Sequence, residues 1–267
     1  MTLKSGFKYC LYKLHLAKWA DRFFFYYSGW KHKNKNLTFC REYPERIIPP
    51  NRWLHETFRL DYRKFFEQGE LAATEMIQWA GKYLKTDTPA ILDWGCGIAR
   101  ITQYLPAACP GAVIYGCDIN EAMIEWNKTR YPGITFMQLL PFLPFPFADD
   151  FFDLLIGFSV LTHIDATEQE NRLKEICRIL KPGGVAILTT HGDKYFNQLT
   201  NKEKTIVLRK GVYTRTYHKP GHRMMTTYHE PGAFKKMIGA HFSIREYHPG
   251  KSDLSKTGGQ DLWILQK

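Results

Sequence analysis

A chain of 267 residues, 44% of them apolar, has room for one α/β domain with an extension but not for two full domains. No apolar run reaches the roughly eighteen residues a membrane-spanning helix needs, no secretory leader opens the sequence, and the six cysteines include no C-x-x-C pair, so the expected compartment is the cytoplasm, with reduced thiols and no zinc or disulfide frame. The net charge of +11 is concentrated at the front, where residues 1–50 carry ten Lys or Arg against three Asp or Glu, so this segment either meets something anionic or forms a solvated basic flank.

The first fifty residues mix bases with rings: Lys4, Lys8, Lys13, Lys18 and Arg22 among Phe7, Tyr9, Trp19 and the run Phe23–Tyr27. Lys4, Lys8, His15, Lys18 and Arg22 share one helical sector, but Leu11 intrudes on it and Lys13 lies opposite. A helix is predicted through about residue 27, with a break at Ser28-Gly29 and a closure at Pro49-Pro50. Two jobs suit this segment: a lid whose rings Phe23 to Tyr27 pack towards an acceptor, or a peripheral helix on an anionic membrane. The imperfect division of bases and rings favours the lid.

Residues 65–84 read as a helix with Leu71, Met76, Trp79 and Leu84 on its inner face. Strands then alternate with helices: strand 90–94, helix 98–105, strand 112–117, helix 121–130, strand 134–138, strand 152–159, helix 167–180 and strand 184–190. That rhythm requires a mostly parallel, doubly wound sheet with helices on both faces. It stops after His191. The stretch 193–230, with His218, His222, Arg223, Tyr228 and His229, is predicted to be an irregular acceptor lid. A helix at 231–238 and strands at 242–247 and 261–266 close the chain. The predicted division is an N-terminal extension, 1–64, and a catalytic domain, 65–267.

The sharpest constellation is Ile91-Leu92-Asp93-Trp94-Gly95-Cys96-Gly97, an apolar strand running into glycines before a helix. Glycine is needed where a ligand approaches the turn closely. Asp118 follows 23 positions after Gly95, at the next strand end, where a carboxylate can accept hydrogen bonds from two ribose hydroxyls. The dinucleotide fingerprint wants a third small residue, and Arg100 stands in its place, so the turn suits a ligand without a pyrophosphate. Asp153, at the start of the fourth strand, reads as structural.

Asp93-Trp94-Gly95-Cys96-Gly97 resembles the D-x-G-C-G motif of class I S-adenosylmethionine-dependent methyltransferases. Asp118 matches that family's ribose-binding acid, Leu143-Pro144-Phe145 with Phe152-Asp153-Leu154-Leu155 is similar to its L-P-F…F-D stretch, and Arg178 to Gly184 to its R-x-L-K-P-G-G turn. The resemblance implies a Rossmann-like fold with an antiparallel terminal strand, and S-adenosylmethionine as cofactor with S-adenosylhomocysteine as product. It further implies that Gly95 and Gly97, with Cys96 between them, pass under the methionine part, that Asp93 helps hold its amino group, and that Ile119 lies against the adenine. The family's adenine-binding acid is replaced by Leu139, so that contact falls to backbone or to Gln138. Phe158 and Ser159 complete the candidate cofactor set.

There is no (D/N/S)-P-P-(Y/F) element after the fourth strand and no Pro-Cys pair, which argues against methylation of nucleic-acid bases and for a small-molecule, oxygen acceptor. Residues 157–164, 189–192 and 259–262 resemble a narrower group, bacterial methyltransferases of glycan and secondary biosynthesis. His163 and His191, just beyond strand ends, are the candidate catalytic bases; the plainer role for either is a loop cap or pocket wall. No metal is expected. The alternatives are an RNA methyltransferase with a basic N-terminal arm and a catalytically dead cofactor-binding protein, against which the intact Gly95, Gly97 and Asp118 argue.

Overall fold

The computed structural model describes residues 17–141, 144–216, 225–251 and 257–267. Lys4, Lys8, Leu11, Lys13, Leu143, His218, His222 and Arg223 lie outside them.

The N-terminal region is helical: α1 (Ala17–Glu42), α2 (Asn51–Thr57) and α3 (Tyr62–Gly81). The alternating region gives β1 (Ala90–Trp94), α4 (Leu105–Ala108), β2 (Val113–Asp118), α5 (Glu121–Arg130), β3 (Thr135–Gln138), β4 (Phe152–Gly157), α6 (Gln169–Ile179) and β5 (Leu180–Thr190). Then come α7 (Asn201–Lys210), β6 (Val212–Arg215), β7 (Thr226–His229), α8 (Pro231–Gly239), β8 (Ser243–His248) and β9 (Asp261–Gln266).

Among the described residues the main sheet has seven strands in the order β3-β2-β1-β4-β5-β9-β8. β1 to β5 are parallel, and β9 is wedged between β5 and β8, antiparallel to both. This is the doubly wound, Rossmann-like sheet expected, with the antiparallel strand last in sequence but one place in from the edge. Successive strand residues face opposite sides. Ile91, Ile114, Leu154, Ile156, Ile187 and Ile264 meet α3 and the N-terminal helices on one face. Leu92, Trp94, Leu155, Leu188, Trp263 and Leu265 meet α6 and α8 on the other. Asp153 accepts from Ala90 N (2.9 Å) and pairs with Lys181 (2.7 Å), tying three strand starts together, a structural role.

Three local expectations are corrected. α1 runs unbroken through Ser28-Gly29. A helical glycine costs only about 1 kcal/mol against alanine, and beyond it the helix is held by tertiary contacts: Phe39 stacks on Phe66 (5.4 Å), and Asn36 bonds to Leu60 O and Tyr62 N at the start of α3. On α3 the buried face is Phe65, Phe66, Gly69, Ala73, Met76 and Ala80; of the expected set Met76 is buried and Trp79 and Leu84 pack against the core, but Leu71 is exposed. Gly69 fixes that orientation, since a Cβ there would sit 2.2 Å from Arg100 O. Finally, the stretch from 193 to 230 is ordered where described. α7 begins with a reciprocal Thr200–Glu203 capping box and ends at Gly211 in the left-handed region, and β6 pairs with β7.

Candidate active site

The sheet order reverses between β1 and β4, where open α/β sheets leave a crevice at the carboxyl strand ends. A cavity of about 1300 Å³ occupies that position. All ten residues of the candidate cofactor set line it: Asp93, Gly95, Cys96, Gly97, Asp118, Ile119, Gln138, Leu139, Phe158 and Ser159.

The glycine turn is built from backbone. Gly95 N and Cys96 N both donate to Cys117 O (2.8 and 3.0 Å), folding the chain over the end of β2. Gly95 has φ +73 and Gly97 φ +52, left-handed values that glycine adopts at little cost. A Cβ on Gly95 would lie 2.5 Å from Val160 Cγ2, so only glycine keeps the cradle open. Asp118 accepts from Gly97 N through one oxygen and from Asn120 N through the other, both at 2.9 Å. Those bonds fix the carboxylate, whose pKa burial raises, while each oxygen keeps a further acceptor site for a hydroxyl. Asn127 Nδ2 donates to Gly97 O (2.8 Å) and locks the turn from beneath.

Asp93 is buried at the cavity floor and accepts from Thr102 Oγ1 at 2.6 Å; desolvation pushes its pKa up to about 6. Arg100, which stands where the dinucleotide fingerprint wants its third small residue, also lines the cavity. Its guanidinium lies over Phe58 (4.9 Å) and Phe158 (5.6 Å), and burial lowers its pKa to about 10, opposed by the charge of Asp93. At the end of β4, Ser159 takes φ +63, rare for a residue with a Cβ. A ring of bonds holds it there: Ser159 N donates to Thr189 Oγ1 (2.7 Å), Thr189 Oγ1 to Gln260 Oε1 (2.7 Å), and Gln260 Nε2 to Ser159 Oγ (2.9 Å).

The two candidate bases part company. His163 lines the cavity, and its Nδ1 lies 2.7 Å from Met225 O. A carbonyl can only accept, so the proton sits on Nδ1 and the lone pair on Nε2. His191 is buried and does not reach the cavity; it stacks on Tyr195 at 4.0 Å. Desolvation, and then the neighbouring His163 and His229, lower its pKa to about 3. No cluster of three or more His, Cys, Asp or Glu suited to a metal occurs among the described residues.

Sequence reasoning missed the outer wall. Glu56 to Arg59 at the end of α2, and Gln68, Leu71, Ala72 and Glu75 on α3, line the mouth. The last four recur at i, i+3, i+4 and i+7, a single helical face, and that spacing was the available signal. The rings of α1 are not part of this wall. Phe23, Phe24, Tyr26 and Tyr27 are exposed and none lines the cavity; Phe25 packs edge-on against His55 (5.3 Å). The expected packing of Phe23 to Tyr27 towards the acceptor is therefore not found.

Residues 92–188 match the family model described as a methyltransferase domain. The chain carries a class I S-adenosylmethionine-dependent methyltransferase domain. Over 105 residues the chain is 35% identical to a ubiquinone/menaquinone biosynthesis C-methyltransferase of Geotalea daltonii, covering 37% of this chain and 43% of the relative. A malonyl-[acyl-carrier protein] O-methyltransferase of Methylococcus capsulatus is 29% identical over 120 residues, 44% of this chain and 43% of the relative. The chain thus spans less than half the length of these two curated relatives. In fold, the methyltransferase domain is similar to a crystal structure of a SAM-dependent methyltransferase from Methanosarcina mazei (TM-score 0.55, 24% identity, 70% of this chain and 95% of that one). The residues of the domain's cavity fit S-adenosylmethionine: a glycine cradle that a Cβ would fill, a backbone-fixed carboxylate at the β2 end, and the half-exposed Ile119 beside it.

Proposed function

We propose that this protein transfers a methyl group from S-adenosylmethionine to an oxygen of a small-molecule acceptor, a sugar or glycan intermediate or a secondary metabolite, with His163 as the base. The observation that carries the reading is the continuity of one cavity from Asp118 to His163. Its volume of about 1300 Å³ exceeds the ~300–1,000 Å³ of pockets for a single ligand, which leaves room for an acceptor beside the cofactor.

The bound cofactor supplies an electrophilic methyl group on a sulfonium. In this reading Asp118 holds the ribose hydroxyls, Ile119 and Leu139 flank the adenine, and Gly95 and Gly97 admit the methionine part. Asp93 and Arg100 offer its amino and carboxylate groups opposite charges. His163, oriented by the Met225 carbonyl, takes the proton of the acceptor hydroxyl at Nε2 as the oxygen attacks. The β6–β7 hairpin supports that wall from outside, because Thr227 Oγ1 donates to Ile164 O (2.6 Å) and Ala166 N to Thr214 Oγ1 (3.0 Å). The 163–165 stretch is the proposed acceptor wall, with the hairpin behind it, in place of a wholly irregular lid.

The test is mass-spectrometric screening of acceptors for S-adenosylhomocysteine release, followed by His163→Gln on the active pair. Loss of a general base should lower turnover about 10²–10⁴-fold, whereas the same change at His191 should alter stability more than turnover. Unchanged turnover in His163→Gln, or a product methylated on carbon, would sink this mechanism.

A further inference from the structure

Helix α1 turns an unpartnered face outwards. Opposite the side carrying Phe39 and Asn36, Trp19, Phe23, Tyr26 and Trp30 recur at three- and four-residue intervals and are 70%, 65%, 59% and 75% exposed. Tyr27 and Leu37 extend the stripe, and at the helical repeat all six fall within an arc of about 100°. From Trp19 to Leu37 it runs about 27 Å. Single exposed apolar side chains need no explanation, but a contiguous aromatic stripe marks a contact surface.

Exposed bases border it on both margins: Arg22 and Lys33 on one, Lys31 and Lys35 on the other. The acids of the helix stand off the stripe, Asp21 lying 3.4 Å from His55 and Glu42 against Arg63. A ring face bordered by cations and free of carboxylates is the pattern of a helix lying in a bilayer interface. Trp and Tyr sit at headgroup level, while Lys and Arg meet anionic phosphates. A second copy of the chain would instead set like bases against each other. No described helix is long and apolar enough to cross a membrane, so contact would be in the plane. The contacts of Phe39 and Asn36 hold the helix already formed and its stripe already aimed.

We propose that α1 docks this protein peripherally on an anionic bilayer through the Trp19–Leu37 stripe and its bordering bases. The full chain is tested by flotation with phosphatidylcholine vesicles made with and without phosphatidylglycerol. The expected result is selective binding to the anionic vesicles, weakening as salt rises, with a blue shift of tryptophan emission. Trp19→Ala combined with Trp30→Ala should lower the partition coefficient about tenfold or more, and so should Lys31→Glu combined with Lys33→Glu. Both variants should keep the parent's melting temperature and its affinity for S-adenosylhomocysteine, which shows that the fold is intact. Equal binding to neutral and anionic vesicles overturns the proposal, as does unchanged binding in the double tryptophan variant. So does a concentration-dependent dimer that the same variant abolishes.

Discussion

The oxygens of Asp118 are each held by one backbone N–H, from Gly97 and from Asn120, so the carboxylate faces the cavity without side-chain freedom to lose on binding. Asp118→Ala should therefore leave the fold intact yet weaken S-adenosylhomocysteine by roughly 1.5–3 kcal/mol, the worth of charge-assisted hydrogen bonds. Titration calorimetry checks it, and equal affinity in the variant would remove the ribose role. At this scale the sequence was readily legible. Glycine, a strand end and a carboxylate are residue types with few substitutes, and all ten candidates meet in one cavity. The histidines were legible only in part, because position after a strand does not say which way a ring turns. Neighbours decided that: Met225 O draws His163 to the cavity wall, and Tyr195 covers His191.

Among the elements, the N-terminal helix was the hardest to read. Its outer stripe and inner contacts are both apolar, so no single amphipathic face stands out, and Ser28-Gly29 looks like a stop. What holds it lies far along the chain: Asn36 Nδ2 donates to Leu60 O (2.9 Å) and Asn36 Oδ1 accepts from Tyr62 N (3.1 Å). Asn36→Leu strands both backbone groups and should cost about 1–3 kcal/mol, read as a lower midpoint in chemical denaturation. A change within experimental error would mean that α1 contributes nothing to holding the start of α3. Helices α5 and α6 were located to within two residues, since each carries its own signals, whereas the helix expected at 98–105 is replaced by turns through residue 101 and the short α4, Leu105–Ala108. α5 is the plainest, with Asn120 capping Met123 N and bases in its last turn. The insertion after His191 read as irregular because its short strands and its capping box are set among Lys, Arg and Tyr, with too few apolar residues for a period.

For the whole molecule, acid stability turns on groups buried uncharged. Desolvation lowers His229 to about 3, and it lowers His191, which also faces His163 and His229, to the same value. Unfolded, each takes a proton near pH 6.5; folded, neither does until about pH 3. Their contribution is thus whole above pH 6.5 and drains away as pH falls from there towards 3. Asp93 works in the opposite sense: raised to about 6 from 3.8, it favours the folded state as pH falls through that window. By pH 5 the histidines cost about 2 kcal/mol each and Asp93 returns about 1. The melting temperature should fall between pH 7 and pH 5, and His229→Leu should flatten that slope. A slope identical in the variant would show that the burial of this ring does not set it.

The wedged position of β9 also sets an order of assembly. β1 meets β2 at a separation of 23 residues, Ala90 facing Val113, and β5 meets β4 at 31, Leu154 facing Val185, but the other edge of β5 must wait for a partner 81 residues on, Val185 facing Gln266. Distant pairings close late because the chain entropy of the loop is lost before the contact repays it. Gln260, next to β9, carries the amide that braces Ser159. During refolding, then, the glycine cradle should mature while the opposite wall is still unbraced. In pulsed hydrogen exchange the β1 amides that pair with β2 should gain protection before the β5 amides that pair with β9. The cavity would take shape around Asp118 first and around Ser159 last, when the final strand slides into the gap left for it.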